Sequence, residues 1–239
     1  MRLLREYIRE IVAEAAVGPK SLHPQDRVYV QPTAFGPKGG FRISVWRDTD
    51  LMGSMSFQST YPTVDGQCLD AYEVLTANAS HGYGPLIYDV AMELATQHGG
   101  GLVSDRRSVS REAWNVWNFY LRNRPDVRAV QLDLIPKEGG PILTPDDTSD
   151  DCSQSSAAGL DVDVHDPQEL RDSPITKVYR VASGRTPTLD ALRSSGHLVE
   201  LPAQARAKPA EAPVPSAKKK TGGTSDKDIA DILDLLGVR

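Results

Sequence analysis

One stretch, residues 68–122, constrains this chain more than any other. The run CLDAYEVLTA over residues 68–77 reads as a strand, and it feeds Asn78-Ala79-Ser80-His81-Gly82-Tyr83-Gly84, after which a helix begins at once. Gly82 and Gly84 let the backbone turn sharply and let a ligand approach it closely. Pro85 suits a first helical turn, where its missing N–H removes no bond. Leu86, Val90 and Leu94, with Ile87 and Ala91, make an apolar stripe over residues 85–98, and Gly99-Gly100-Gly101 ends it. Leu102-Val103-Ser104 is a short fifth strand. Ser108 or Ser110 caps a helix over residues 111–122 that carries Trp114, Trp117, Phe119, Tyr120 and Leu121, and a further strand spans 127–133.

Upstream, three runs at 27–30, 41–47 and 52–57 read as an antiparallel meander, with turns at Gly36-Pro37-Lys38-Gly39-Gly40 and at 48–50. Residues 2–16 read as an amphipathic helix ended by Gly18-Pro19. One more strand is expected at 175–183 and a helical turn at 189–192. The fold class expected is α/β (α+β): a mixed, mostly antiparallel central sheet flanked by helices.

Composition sets the remaining bounds. Lys and Arg number 27 against 32 Asp and Glu, a formal charge of -5, so a global basic field for a nucleic-acid backbone is missing and nucleic acid is an unexpected partner. No run of 18 apolar residues exists, and charges crowd residues 2–10, so neither a membrane span, a membrane partner nor a signal peptide is expected. Cys68 and Cys152 are too few for a disulfide framework or a zinc cage, which sets the default location as the cytoplasm. Residues 144–172 hold nine acids against the single base Arg171, and read as a flexible, solvated acidic insertion. The histidines show no paired spacing for a metal, and no metal ligands are expected. Four regions follow: an amphipathic helix over 1–18, a domain over 19–200, a disordered linker over 201–224 and a short amphipathic helix over 225–239, which would dock a protein partner or the body of the chain.

Chemistry concentrates at the glycine turn. The first amides of a helix have no internal acceptors and the helix dipole adds roughly half a positive charge, so the site favours an anion such as a diphosphate. The whole stretch, from AYEVLTANASHGYGPLIYDV to WNVWNFYLRN, resembles the core of the GNAT (Gcn5-related N-acetyltransferase) family, in which a fourth strand ends in Gln/Arg-x-x-Gly-x-Gly/Ala and is followed by a helix, a fifth strand and a helix bearing a Tyr. Ala79, Gly82, Gly84 and Tyr120 hold the matching positions, and the chain looks most like the divergent GNAT-like proteins of bacteriophages, which would place it in a host cytoplasm. The resemblance implies acyl transfer from acetyl-coenzyme A to an amine. It implies a cofactor held along Leu75 and Ala77, with its diphosphate on His81, Gly82, Tyr83, Gly84, Pro85 and Leu86 and a contact from Asn118. The Leu75 amide would stabilise the oxyanion, Tyr120 would protonate the thiolate, and Glu73, with Asp70 in reserve, would act as base. Arg106, Arg107 and Arg111 would face the cofactor's 3′-phosphate or solvent. Ala79 departs from the family's Gln or Arg, which leaves the diphosphate to backbone amides. The alternative is a GNAT-shaped binding or structural module without catalysis.

Overall fold

The computed structural model describes residues 17–60, 67–80, 82–182 and 184–203. The expected helix over 2–16, His81, the linker from residue 204 onward and the helix over 225–239 lie outside these described residues.

The meander forms as β1 (Asp26–Thr33), β2 (Gly40–Arg47), β3 (Asp50–Ser59) and β4 (Tyr72–Ala79), each antiparallel to the last. Period-two burial drives it: Gly53, Met55, Phe57 and Ser59 alternate inward along β3. The chain continues through α1 (Gly84–His98), β5 (Leu102–Val103), α2 (Arg111–Asn123), β6 (Val127–Gln131), β7 (Asp133–Leu134), β8 (Asp151–Cys152), α3 (Ser155–Ala158), α4 (Pro167–Asp172), β9 (Lys177–Val181), α5 (Pro187–Ser194) and β10 (Leu198–Glu200). Eight strands make one sheet in the order β10-β1-β2-β3-β4-β5-β9-β6. Its pairs are antiparallel except β1–β10 and β4–β5. The mixed, mostly antiparallel architecture agrees with the sequence.

Helix α1 is buried on more than a stripe. Tyr88, Met92 and Glu93 are covered along with Leu86, Ile87, Val90, Ala91 and Leu94. The Glu93 carboxylate takes the amides of Thr188 and Leu189 at 2.7 and 2.8 Å, so a buried anion on α1 caps the start of α5. Beside it Trp117 of α2 packs on Tyr88 and on Tyr179 of β9, with ring centroids 5.3 and 5.1 Å apart. Ser110 caps α2 as expected, accepting the Ala113 amide at 3.2 Å.

Three expectations are corrected. Residues 68–70 are no strand: Cys68, Leu69 and Asp70 hold φ of 45°, 53° and 57°, a left-handed turn. Gly100 allows it, because a Cβ there would lie 1.7 Å from the Leu69 carbonyl oxygen. Second, the two cysteines are joined, Cys68 to Cys152, across 84 residues of sequence. Third, the segment 144–172 is folded. It contains β8, α3 and α4, it buries Cys152, Ala157 and Leu170, and the bridge from Cys152 to Cys68 ties it to the body. No helix among the described residues is long and apolar enough to cross a membrane.

The bridge closes a long loop, and loop-closure entropy gives it about 4–5 kcal/mol. Reducing it, or changing Cys68→Ser, is expected to move the urea midpoint down accordingly. An unchanged midpoint under dithiothreitol would show that the bridge adds nothing.

Candidate functional site

Strands β4 and β5 run parallel for one step only. Tyr72 faces Leu102 and Glu73 faces Val103, and beyond that pair no register joins them. On its other side β4 carries a bulge: Thr76 faces Ser56 and Val74 faces Phe57, so Leu75 between them has no partner. Its side chain is 37% exposed. At the far end of β4 a groove of about 300 Å³ opens. Asn78, Ala79, Ser80, Gly82 and Gly84 form one wall, and Ser110, Glu112, Ala113 and Val116 of α2 form the other, with Tyr88 also lining it.

The turn into α1 is built for this position. Gly82 sits at φ 89°, a region that disfavours every side chain. A Cβ on Gly84 would meet nothing within 4 Å, so the groove is open there. Helix geometry gives the amides of Gly84 and Leu86 no internal acceptor, and Tyr83 at the cap position supplies no side-chain bond. Tyr83 instead turns inward. Its hydroxyl donates to Asp26 Oδ2 at 2.8 Å and accepts from Arg47 Nη2 at 2.5 Å. Arg47 Nε and the His23 amide also reach the fully buried Asp26, at 2.8 and 3.0 Å. Burial alone would lift this carboxyl, but the bonds from Arg47, Tyr83 and His23 outweigh it and hold the group below its ordinary value.

The residues expected at the site divide. Ala77, Gly82, Gly84 and Pro85 line the groove together. Leu75 stands at the bulge. Leu86 and the Tyr83 ring are buried in the core, so they offer backbone only. Asn118 is absent from the groove and accepts a bond from Arg122 Nε at 2.7 Å. Tyr120 lies elsewhere: its ring is buried among Tyr88, Trp117 and Tyr179, and its hydroxyl donates to Asp89 Oδ1 at 2.7 Å. Arg124 pairs with the same oxygen at 2.6 Å. Burial and the Asp89 charge push the Tyr120 phenol well above 10, and its proton is already committed to Asp89, outside the groove. Arg106 does not face a cofactor either; it is buried and donates to the carbonyls of Ser104 and Ile175 at 2.9 and 2.7 Å. Asp70 pairs with Lys38 at the surface.

Glu73 opens on a second cavity of about 330 Å³ that it shares with Arg106, Arg107, Asp151 and the disulfide. Burial raises its carboxyl above the ordinary value, although Oε1 accepts the Arg106 amide at 2.9 Å. Sequence reasoning missed Tyr88, which reads as one more apolar-face residue of α1 but lines the groove without a hydrogen bond among the described residues. It also missed the acids Asp133, Asp150 and Asp151, which converge from distant positions. No protein family, curated protein or solved structure matches the chain.

Tyr83→Phe removes a bond to a buried anion and is expected to destabilise the fold by about 1.5–3 kcal/mol at pH 7. Because the folded Asp26 sits below its unfolded value, its contribution is complete above about pH 4 and fades as the pH falls through the folded value. The gap between the urea curves of the two proteins should therefore narrow as the pH is lowered from 7 through the folded Asp26 value. A gap that stays constant down to the acid unfolding of the protein counts against the Asp26 linkage.

Proposed function

We propose that the protein is an acyltransferase of the GNAT type, passing an acyl group from acetyl-coenzyme A to an amine acceptor. The observation that carries this reading is the parting of parallel strands β4 and β5 just beyond Glu73, with the bulge at Leu75 and the groove lying farther along β4. The order of elements that the family resemblance implies, a fourth strand, glycine turn, helix, fifth strand and helix, supports it as well.

Acetyl-coenzyme A, when bound, supplies an activated thioester. The residues of the chain do the rest. The amides of Gly84 and Leu86, at the positive end of α1, receive the diphosphate. The unpaired position of Leu75 in the ladder lets its N–H turn toward a developing oxyanion. Glu73, at the apex of the parted strands, takes the proton of the amine. Tyr88 replaces Tyr120 as the phenol that returns a proton to the leaving thiolate, since it lines the groove and Tyr120 is held by Asp89. Burial pushes the Tyr88 phenol up to about 12, so it stays protonated at working pH.

A second reading, the same fold serving as a binding module without catalysis, draws support from the wall chemistry. Among the described lining residues there is no Lys or Arg, the Ala79 side chain has no polar group, and the acidic residue Glu112 is part of the lining.

Calorimetry with acetyl-coenzyme A separates the two. Gly84→Trp fills open space rather than packed core, so it is expected to weaken binding at least tenfold with little change in melting temperature. Glu112→Gln removes a like charge and should tighten binding severalfold. No heat at millimolar acetyl-coenzyme A supports the module.

For the chemistry, Glu73→Gln and Tyr88→Phe should each lower kcat by about 10²-fold, whereas Tyr120→Phe should act on stability. The base form of Glu73 is the deprotonated one, so kcat/KM should climb with pH, with a midpoint above the ordinary 4.5. That limb should vanish in Glu73→Gln. A limb unchanged by the substitution removes Glu73 from the role.

A further inference from the structure

Away from the groove, the short parallel ladder β7–β8 brings three carboxylates together. Asp133 faces Asp151 in register, and Asp150 precedes it. One oxygen from each lies within 4.8 Å of the others. All three are buried: Asp133 is 0%, Asp150 8% and Asp151 3% exposed. Among the described residues no ion pair reaches any of them.

The hydrogen bonds at this cluster are too few. The Thr144 amide donates to Asp133 Oδ2 at 2.6 Å. The Thr144 hydroxyl lies 2.9 Å from that oxygen and 2.7 Å from Asp150 Oδ2, but it has one proton to give to the two. The second oxygens, Asp133 Oδ1 and Asp150 Oδ1, are buried with no partner at all. Asp151 takes no hydrogen bond from a described side chain or amide. Unsatisfied buried anions are costly enough that they are found paired or on a metal. The orphan oxygens are thus an observation separate from the count of acids, and they ask for a cation.

We propose that Asp133, Asp150 and Asp151 bind one calcium ion, which ties β7 to β8 and closes the loop between them. The ligand set is all oxygen, which selects a hard divalent ion. The number of carboxylates favours calcium. Magnesium keeps several waters and takes one or two carboxylates, whereas three buried carboxylates converge here, as a larger and more flexibly coordinated ion accepts. Thr144 is exposed and Asp151 lines the 330 Å³ cavity, so the cluster can be reached from solvent. The electrostatics agree. Burial raises the carboxyls of Asp150 and Asp151, and the charges that act on them are those of neighbouring acids, Asp147 included. The sequence names no such site, because its acids are split between residue 133 and residues 150–151.

The test uses the full chain stripped with EGTA and titrated with calcium chloride or magnesium chloride. One calcium per chain is expected by calorimetry. The melting temperature should rise by about 5–10 °C at a hundredfold excess over Kd. The double change Asp133→Asn with Asp150→Asn should weaken calcium at least tenfold, while Asp146→Asn, an exposed acid outside the cluster, should not. If the double variant does not fold, Asp151→Asn serves, since that side chain holds no neighbour in place. Three results overturn the proposal. The first is no stabilisation by calcium at 10 mM in the stripped protein, which would mean that the carboxyls share a proton instead. The second is calcium binding unchanged in the variants, and the third is magnesium bound more tightly than calcium.

Discussion

A single buried carboxylate organises the end of the molecule where the groove lies. Asp26 begins the first strand and is fully covered, and an anion in that position must be answered from all sides. Arg47 from the second strand, the His23 amide and the Tyr83 hydroxyl answer it. Tyr83 is also the residue before the first turn of α1. The same bond that settles the charge therefore fixes where that helix starts and which way its free amides point. Groove and core are not separate achievements of the chain; the first is aimed by a polar contact within the second.

Tyr83 also explains why the glycine turn is bulky. From the sequence, a tyrosine between two glycines reads as a cofactor contact or an obstacle. In the structure the ring leaves the groove and packs into the core, while Gly82 takes the left-handed conformation and Gly84 leaves room above the helix. The result is a turn with one heavily anchored residue flanked by two bare ones. The start of α1 is thereby both fixed and uncovered.

Much of this was legible in the residues, and the gaps have physical causes. Alternation in Phe41-Arg42-Ile43-Ser44-Val45 reports the pleat directly, and Ser110 marks the start of α2 because a hydroxyl there accepts an otherwise orphan amide. The position of Tyr120 on an aromatic helix face was equally legible, but not the direction of its hydroxyl, which depends on Asp89 and Arg124 from elsewhere. Tyr88 was hidden by the reverse effect, since an apolar stripe does not say that one of its members reaches a groove. The acidic stretch over 144–172 misled because composition averages over residues, and a handful of well-placed groups such as Cys152 and Leu170 decides whether the segment packs. Strand β10 has three residues, too short for any periodicity to register.

The bridge between Cys68 and Cys152 has a consequence for the covalent outline of the chain. It encloses β4, α1, β5, α2, β6 and β7 in one ring, with β1–β3 on one tail and the final strands on the other. A protease that clips a surface loop inside the ring turns the molecule into two pieces that still travel as one until a thiol reagent parts them. A clip in either tail releases a fragment immediately. Whichever side of the ring a cut falls on can thus be read from a pair of gels, run with and without reductant.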